Sequence, residues 1–379
     1  MVRSRSRVPR ASEGAERRAL SILEIDLDAV AANWRLLAAR IGGAERCAAV
    51  VKADAYGLGA AAVAPALAAA GCRLFFVATL EEGLALRRVF EEPPIAVLNG
   101  LVPAEPGVFA RARLVPVLND LGQIEAWRRF ARGRAAPAML HVDTGMARLG
   151  LPRGELARLA AEPDRLAGVT LAGILSHLAC ASDAEDPMNA AQRDAFRAAL
   201  GRLPPAPASL AASSGIFLGP DYHFDFARPG AALYGVNPVP GHPNPMRQVV
   251  HLKGRILQVR EIDRAEPVGY GAAHRMRRAG RIATVAVGYA DGWFRSASHR
   301  GSVAIAGHRV PVVGRISMDL MTLDVTDVDA ALARPGAFVD LLDASYGVDA
   351  AAAAAGTIGY EILTAIGRRA LRVHRGGRS

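Results

Sequence analysis

Lysine is almost absent from this chain of 379 residues. Of the 46 Lys and Arg residues, only two are lysines, Lys52 and Lys253. Arginine stays protonated in any ordinary site, so a chain this rich in arginine does not need lysine for positive charge. A lysine amine can be neutral, and a neutral amine forms a Schiff base with a carbonyl group. A retained lysine is therefore a candidate for covalent chemistry.

Cysteine and long apolar runs are also scarce. The three cysteines, Cys47, Cys72 and Cys180, form no C-x-x-C pair, which argues for a reducing compartment and against a disulfide framework or a zinc site. No stretch of about eighteen uncharged apolar residues occurs, so no membrane span is expected. No apolar segment follows the basic N-terminus, so a secretory signal is not expected. These absences predict a soluble cytoplasmic protein with no metal site.

The formal net charge of +10 resembles that of a nucleic-acid-binding protein, but its distribution does not. Residues 1–20 hold six arginines against two glutamates and account for four of the ten net charges. The low hydrophobicity of this basic tail predicts disorder. The remaining arginines are scattered along the chain, so nucleic-acid binding is not expected.

Short apolar runs alternate with longer amphipathic stretches between about residue 45 and residue 230. The eight runs are Cys47–Val51, Leu74–Ala78, Ile95–Leu98, Val115–Leu118, Ala138–Val142, Val169–Leu175, Ala208–Ala212 and Phe224–Ala227. Continuous apolar runs between helices predict parallel strands covered on both faces. Eight such repeats predict an α/β protein with a (β/α)8 barrel. An open doubly wound sheet is the alternative, although no Gly-x-Gly-x-x-Gly opens the first helix.

The pattern changes after about residue 240. The segment Pro238–Pro245 is rich in Pro, Gly and Asn, which is typical of a domain boundary. Short apolar runs separated by glycine turns follow it and predict a mostly β C-terminal domain, with one possible helix at 349–355. We therefore predict a disordered tail over 1–20, a barrel over 21–243 and a β-rich domain over 244–379.

Polar residues follow five of the predicted barrel strands, at the end where the active sites of such barrels lie. These strand-end residues are Lys52, His141–Arg148, Ser176–His177, Ser213–Gly215 and Arg228–Ala231. Each has a plain structural alternative when taken alone. Lys52 could extend to water from a strand end, and His177 could be a core histidine. The Asp143–Gly145 segment could be only a turn, and the Ser213–Gly215 segment only a helix cap.

The residues after the seventh and eighth strands lie where barrels commonly bind a phosphate on backbone N–H groups. A lysine and a phosphate cradle in one site fit pyridoxal phosphate. Arg228 can only donate a hydrogen bond, so beside a pyridine nitrogen it would keep that nitrogen unprotonated. The ring would then be a weaker electron sink, which favours racemisation over transamination-like side reactions.

Eight motifs lie in order between about residue 22 and residue 372: Val50–Gly59, Asp143–Gly150, Ser176–Ala179, Arg228–Gly235, Gly269–Ala272, Val287–Gly292, Gly314–Asp319 and Thr357–Tyr360. Together they resemble the motifs of bacterial alanine racemases, which are fold-type III pyridoxal-phosphate enzymes. The resemblance implies a barrel followed by a β domain, a homodimer with shared active sites, and interconversion of L-alanine and D-alanine. It also implies supply of D-alanine for peptidoglycan.

The resemblance assigns roles to particular residues. It implies Lys52 and Tyr270 as the two catalytic bases, with cationic Arg228 and His177 helping to lower the pKa of Tyr270. The implied cofactor-binding residues are Lys52, Tyr56, Arg148, His177, Ser213, Arg228, Gly230, Ala231 and Tyr360. The implied substrate-binding residues are Arg148, Tyr289 and Met318, with Arg295 and Asp319 beside the entry.

Two positions depart from the family pattern. His141 stands where many members have a carbamylated lysine that orients the arginine matching Arg148. We expect a bound anion such as chloride, or a direct contact, to orient Arg148 instead. Ala212 stands where members commonly have Asn, and Ser214 is a candidate substitute for that polar contact.

Three other functions compete with alanine racemisation. A broad-specificity amino-acid racemase has the same fold. A decarboxylase of this architecture typically has a carboxylate at the pyridine nitrogen, which Arg228 argues against. A non-catalytic pyridoxal-phosphate-binding protein would lack the second domain and leave Tyr270 without a role.

Overall fold

The computed structural model describes residues 13–101, 105–134 and 136–377. The described chain begins with helix α1 (Glu13–Arg18) and strand β1 (Ser21–Asp26). A parallel sheet of short strands and a larger, mostly antiparallel sheet follow. Buried apolar side chains line both sheets.

Seven parallel strands form the wall of a barrel, in chain order. They are β2 (Ala49–Val50), β3 (Phe75–Val77), β4 (Ile95–Val97), β5 (Leu114–Leu118), β6 (Pro137–His141), β7 (Thr170–Leu175) and β8 (Ala208–Ser209). Most of their residues are buried apolar ones, because the barrel interior covers one face and helices cover the other. The predicted runs are confirmed as strands at these seven places.

The eighth predicted strand, Phe224–Ala227, closes the barrel through one backbone bridge from its last residue to Cys47. The amide of Ala48 donates to the carbonyl of Ala227 (3.0 Å), and the amide of Asp225 donates to the carbonyl of Ala208 (3.0 Å). Phe224 has a left-handed φ of 51°, and Pro229 has no amide hydrogen to donate, so neither residue can extend the strand pairing. The (β/α)8 prediction is therefore confirmed, with its last strand reduced to this bridge.

Helix α2 (Leu27–Arg40) precedes the first barrel strand, and the other helices of this region connect barrel strands. They are α3 (Lys52–Tyr56), α4 (Ala60–Ala70), α5 (Leu80–Val89), α6 (Pro106–Arg111), α7 (Leu121–Ala131), α8 (Arg153–Ala161) and α9 (Pro187–Leu200). Four of these helices, α2 included, begin at a side chain that accepts a backbone N–H, namely Asp26, Thr79, Asp120 and Asp186. Within the described ranges, no helix has both the length and the apolar character needed to cross a membrane.

The second region contains nine strands and two helices. They are β9 (Val250–Ile262), β10 (Pro267–Val268), β11 (His274–Arg275), β12 (Gly280–Val285), β13 (Ser302–Ile305), β14 (His308–Val313), β15 (Met321–Asp324), β16 (Phe338–Leu342), α10 (Val348–Ala355), α11 (Gly359–Ala365) and β17 (Leu371–Arg375). Its main sheet has the order β12-β15-β14-β13-β16-β9-β1-β17. The prediction of a mostly β domain with a helix near 349–355 is confirmed.

The first strand departs from the predicted division of the chain. β1 pairs with β9 and β17 in the second sheet. Residues 21–26 were predicted to belong to the barrel, and they do not. The mostly buried residues of β1 suit either sheet, and its partners lie more than 200 residues away along the chain. Local sequence patterns cannot reveal such distant pairing.

The predicted disordered tail is also wrong over its last third. Residues 13–18 form α1, whose carbonyl end is held by Arg255 donating to the carbonyls of Arg17 (2.9 Å) and Ala19 (2.9 Å). Glu16 forms an ion pair with Arg375 (3.1 Å). These contacts come from β9 and β17, so the composition of the tail does not predict them. Residues 1–12 lie outside the described residues.

Candidate active site

A cavity of about 1020 Å³ opens at the carboxyl ends of the barrel strands. It is lined by all the residues predicted to bind a cofactor: Lys52, Tyr56, Arg148, His177, Ser213, Arg228, Gly230, Ala231 and Tyr360. Tyr360 comes from α11 in the second region, and the others come from barrel strand ends. The fold thus brings side chains from across the sequence to one place.

Lys52 directly precedes an unusual turn after β2. Four consecutive non-glycine residues have φ values between 51° and 56°: Ala53, Asp54, Ala55 and Tyr56. This left-handed conformation costs L-residues about 1–2 kcal/mol each. Hydrogen bonds offset the cost, because the Ala53 N–H donates to the Glu82 carboxylate (2.8 Å) and the Ala60 N–H donates to the Asp54 carboxylate (2.7 Å).

The environment of Lys52 favours its neutral amine. Burial lowers the pKa of Lys52, the cation of Arg148 lowers it further, the carboxylate of Glu82 opposes this, and Arg228 lowers it again. The neutral amine is the form that attacks a carbonyl. Lys253 lies on β9 instead and forms an ion pair with Glu24 (3.0 Å). The two lysines of the chain therefore have different surroundings, and only Lys52 lines the cavity.

Arg228 is a buried cation with one free donor. Its Nε donates to the Ser209 hydroxyl (2.9 Å), and its Nη2 donates to the carbonyls of Ser176 and Leu210 (3.2 Å). Its Nη1 has no partner in the described part of the chain, and the side chain lines the cavity. Burial lowers the pKa of Arg228 to about 10, which leaves it protonated at neutral pH. A fixed N–H donor is thus available to a ligand.

Backbone amides form a second set of donors. The Ser213 hydroxyl accepts the amides of Gly230 (3.0 Å) and Ala232 (3.2 Å), which ties the ends of the seventh and eighth strands together. Three further amides at cavity-lining residues make no hydrogen bond within the described ranges: those of Ser214, Gly215 and Ala231. Converging free N–H groups are a suitable site for a phosphate.

Two tyrosine hydroxyls complete this end of the cavity. The ring of Tyr56 packs against Tyr234 (4.8 Å between ring centroids) and lies 6.1 Å from the ring of Tyr360. Burial raises the pKa of both Tyr56 and Tyr360, so both hydroxyls stay protonated and can donate. A Cβ atom at Gly230 would lie 2.5 Å from the Tyr56 hydroxyl. Glycine at this position therefore lets the hydroxyl approach the amide cradle.

His177 is neutral in this site. Burial lowers its pKa to about 3, with further contributions from the cations of Arg228 and Arg148. The expectation of a cationic His177 is therefore wrong, because the site is buried and already holds two arginines. Gln192 fixes the backbone on both sides, since its amide donates to the His177 carbonyl (2.9 Å) and accepts the Ala179 N–H (2.8 Å).

Arg148 lies on a loop that is closed at its base. The Leu151 N–H donates to the carbonyl of His141 (2.8 Å), and the Asp143 carboxylate accepts the amides of Gly145 (2.9 Å) and Met146 (2.9 Å). Arg148 has no ion-pair partner among the residues that the structure describes. Its guanidinium is therefore available to an anionic ligand in the cavity.

The hydrogen bonds around His141 define its protonation state beside Arg148. The Asn119 side-chain amide donates to the carbonyls of Leu98 (3.0 Å) and Val117 (2.9 Å), so its oxygen must face His141 Nδ1 (2.8 Å). Nδ1 therefore carries the proton and Nε2 is an acceptor. Burial and Arg228 lower the pKa of His141 to about 4. A neutral acceptor, unlike a second donor, does not oppose Arg148.

The remaining predicted residues lie outside the cavity. Tyr270 is 71% exposed, Met318 is 54% exposed and Tyr289 is 44% exposed, all in the second region. The Tyr289 amide donates to the carbonyl of Ser317 (3.1 Å), which brings Tyr289 beside Met318. The Met318 amide makes no hydrogen bond within the described chain. One chain thus does not bring Tyr270 to Lys52.

Three residues of the site were missed at the sequence level: Glu82, Asn119 and Gln192. Glu82 was the most accessible to prediction, because Thr79–Glu82 has the spacing of a capping box before a helix. That spacing does not reveal the bond from Glu82 to Ala53 on the neighbouring strand end. Asn119 and Gln192 act through tertiary contacts that leave no local pattern.

The chemistry of the cavity fits pyridoxal phosphate. Lys52 supplies an amine for the carbonyl, Arg228 a donor for the ring nitrogen, and the amide cradle a place for the phosphate. These three groups come from the ends of the first, seventh and eighth strands.

Comparisons with known proteins agree with this geometry. The model of the alanine racemase N-terminal domain matches residues 25–238, and that of the alanine racemase C-terminal domain matches residues 249–374. An alanine racemase of Rhodospirillum rubrum is 52% identical over 368 residues, which cover 96% of this chain and 98% of the relative. A catabolic alanine racemase of Mesorhizobium japonicum is 48% identical and covers 96% of this chain and 95% of the relative.

A solved structure extends the similarity to the fold. The crystal structure of alanine racemase from Bartonella henselae, with covalently bound pyridoxal phosphate, has a TM-score of 0.90 and 43% sequence identity to this chain. The match covers 94% of this chain and 100% of that structure. The family models, the relatives and the fold agree, and this chain belongs to the alanine racemase family.

Proposed function

We propose that this protein is a pyridoxal-phosphate-dependent alanine racemase that interconverts L-alanine and D-alanine. The observation that carries this proposal is the cavity at the barrel mouth, where Lys52 has a lowered pKa beside a buried arginine donor and free backbone amides. Relatives named alanine racemase, at 48% to 52% identity over nearly the whole chain, support the same activity.

The cofactor would be held at both of its ends. Lys52 would bind it covalently, and Ser213, Gly230, Ala231, Tyr56 and Tyr360 would hold the phosphate. Arg228 would donate to the ring nitrogen, with His177 and Arg148 beside the ring. When bound, pyridoxal phosphate withdraws electrons from the substrate and so acidifies its Cα proton. Arg228 limits this withdrawal, because it cannot protonate the ring nitrogen as a carboxylic acid could.

Lys52 and Tyr270 are proposed as the two bases. Racemisation requires that a proton leave one face of the substrate Cα and that another arrive on the opposite face. Lys52, which follows β2, would act on one face. Tyr270 is exposed and outside the cavity of its own chain. We therefore propose a homodimer in which Tyr270 of the partner subunit completes each site.

The substrate carboxylate would bind to Arg148 and the Met318 amide. Arg148 has no ion pair, and the Met318 amide no hydrogen bond, within the described ranges. Tyr289 lies beside Met318 and would line the same entrance. The second region would thus contribute substrate contacts together with Tyr270.

We also propose that the protein works in the cytoplasm and supplies D-alanine for peptidoglycan. Its three cysteines are free, and Cys47 and Cys72 are buried, as suits a reducing compartment. Deletion of the gene should make growth depend on added D-alanine. Growth without D-alanine would point instead to a catabolic role.

The activity is tested by incubating purified protein with each L-amino acid and assaying the D-product. Alanine should be the preferred substrate, and similar rates for several amino acids would support the alternative, a broad-specificity racemase. Lys52→Ala should abolish the activity. Lys253→Ala is the matched control, since it removes the other lysine of the chain and should retain activity. An inactive wild type, with cofactor bound, would refute the proposal.

A further inference from the structure

Glu82 joins the ends of two neighbouring barrel strands. One carboxylate oxygen accepts the N–H of Ala53, the residue after Lys52 (2.8 Å), and the other accepts the N–H of Ala78 at the end of β3 (2.8 Å). The Glu82 N–H donates in turn to the Thr79 hydroxyl (3.3 Å), which completes the capping box of α5. One side chain therefore connects the backbone beside Lys52 to the start of a helix.

The backbone at Ala53 depends on such a connection. Ala53 is the first of the four left-handed residues, and this conformation is unfavourable for any residue with a side chain. Its carbonyl is held by the Gly57 N–H (2.7 Å), which closes the turn on the far side. Its own N–H has no acceptor other than Glu82 in the described part of the chain. Removal of Glu82 would leave the Ala53 N–H without an acceptor, and the near side of the turn would then be held by the bond from the Ala55 N–H to the Val51 carbonyl (2.9 Å).

Glu82 also brings negative charge to a cationic part of the cavity. Arg148 and Arg228 both disfavour a protonated Lys52, and Glu82 favours it. Besides Lys52 and the two arginines, the titratable groups that line the cavity are His141, His177, Tyr56, Tyr360 and Glu361. The two histidines and the two tyrosines are neutral near neutral pH, because their pKa values lie far from it. Among the groups that shift the pKa of Lys52 most, Glu82 is the one whose charge opposes the two arginines.

We propose that Glu82 is a positioning residue for Lys52, because its carboxylate holds the turn that follows the lysine and its charge offsets the two arginines. The catalytic consequence rests on the proposed function, in which Lys52 must both accept and release a proton. The effect on the lysine itself is a property of the chain without cofactor.

Competitive labelling with acetic anhydride tests this effect in the full-length apoprotein. Mass spectrometry after labelling from about pH 6 to about pH 10 reports the basicity of each lysine, and Lys253 serves as an internal standard in every sample. Glu82→Gln should increase the labelling of Lys52 relative to Lys253 at neutral pH by roughly threefold or more, because loss of a nearby opposite charge favours the neutral amine.

Two control variants separate the effect of the Glu82 charge from the effects of a nearby helix charge and of the capping box. Glu81→Gln removes the same charge from the preceding, exposed position of α5. Thr79→Ala breaks the capping box but keeps the Glu82 carboxylate. Both should leave Lys52 labelling at the wild-type level. A Glu82→Gln protein that labels like the wild type overturns the proposal, and so does an equal change in Thr79→Ala.

A second substitution covers the case in which the Glu82→Gln protein does not fold. Glu82→Asp keeps the charge but shortens its reach, so Lys52 labelling should rise by less, and an unchanged value would overturn the proposal. The labelling does not involve the cofactor. Failure of this inference is therefore distinguishable from failure of the proposed function, which depends on racemase activity and on Lys52→Ala.

Discussion

The two lysines show how far a single residue can be interpreted from sequence. Rarity and position at a strand end identified Lys52 as the candidate for covalent chemistry, and it lies in the cavity while Lys253 forms an ion pair on the second sheet. The charge state of His177 could not be inferred in this way. It depends on burial and on Arg228 and Arg148, which come from other strand ends.

The lowered pKa of His177 predicts acid sensitivity. The unfolded chain binds a proton at this histidine below about pH 6.5, but the folded chain does not until about pH 3. The free energy of unfolding of the apoprotein should therefore fall as the pH drops through 6, by about 1 kcal/mol per pH unit for this residue. Urea unfolding at pH 7 and pH 5 measures the fall.

His177→Gln should make this pH dependence shallower, because the variant has no imidazole to protonate. The exposed His242→Gln is the matched control. Equal pH dependence in wild type and His177→Gln would show that His177 is not held neutral by the fold.

Among the secondary-structure elements, sequence patterns predicted those that depend on the local order of apolar and polar residues. Continuous apolar runs marked the barrel strands, since such runs are buried on both faces. The left-handed turn after Lys52 was not predictable, because no residue preference favours four consecutive non-glycine residues with positive φ. The pairing of β1 with β17 was missed for a different reason, namely the distance along the chain.

The left-handed turn predicts opposite effects of glycine at two exposed alanines. Ala53→Gly should raise the free energy of unfolding by about 0.5–1 kcal/mol, because relief of the left-handed strain exceeds the added entropy of the unfolded chain. Ala61→Gly, in the regular helix α4, should lower it by about 1 kcal/mol. Urea unfolding compares the two variants, and equal destabilisation by both would contradict the strained turn.

At the scale of the whole molecule, the two regions carry complementary parts of the proposed site. The barrel holds Lys52 and the cradle, whereas Tyr270, Tyr289 and Met318 are exposed on the second region. Family resemblance suggested this division, and composition alone could not. Exposure of these three side chains in a single chain is what the proposed homodimer requires.

The shared site predicts complementation between inactive variants. Lys52→Ala and Tyr270→Phe should each be inactive as homodimers. After subunit exchange, heterodimers contain one intact site, so a mixture at equal concentrations should recover about a quarter of the wild-type activity, since half of the dimers have one working site of two. A mixture of Lys52→Ala with a Lys52→Ala, Tyr270→Phe double variant is the control and should recover none. No recovery after demonstrated exchange would refute the shared site.

Borohydride reduction of the holoenzyme locates the residue that carries the cofactor, which we propose is Lys52. Reduction makes the bond between lysine and cofactor permanent, and peptide mass spectrometry then locates the added pyridoxyl group. We predict that the group is on Lys52 and that Lys253 is unmodified. A pyridoxyl group on Lys253, or on neither lysine of a protein that binds the cofactor, would contradict it.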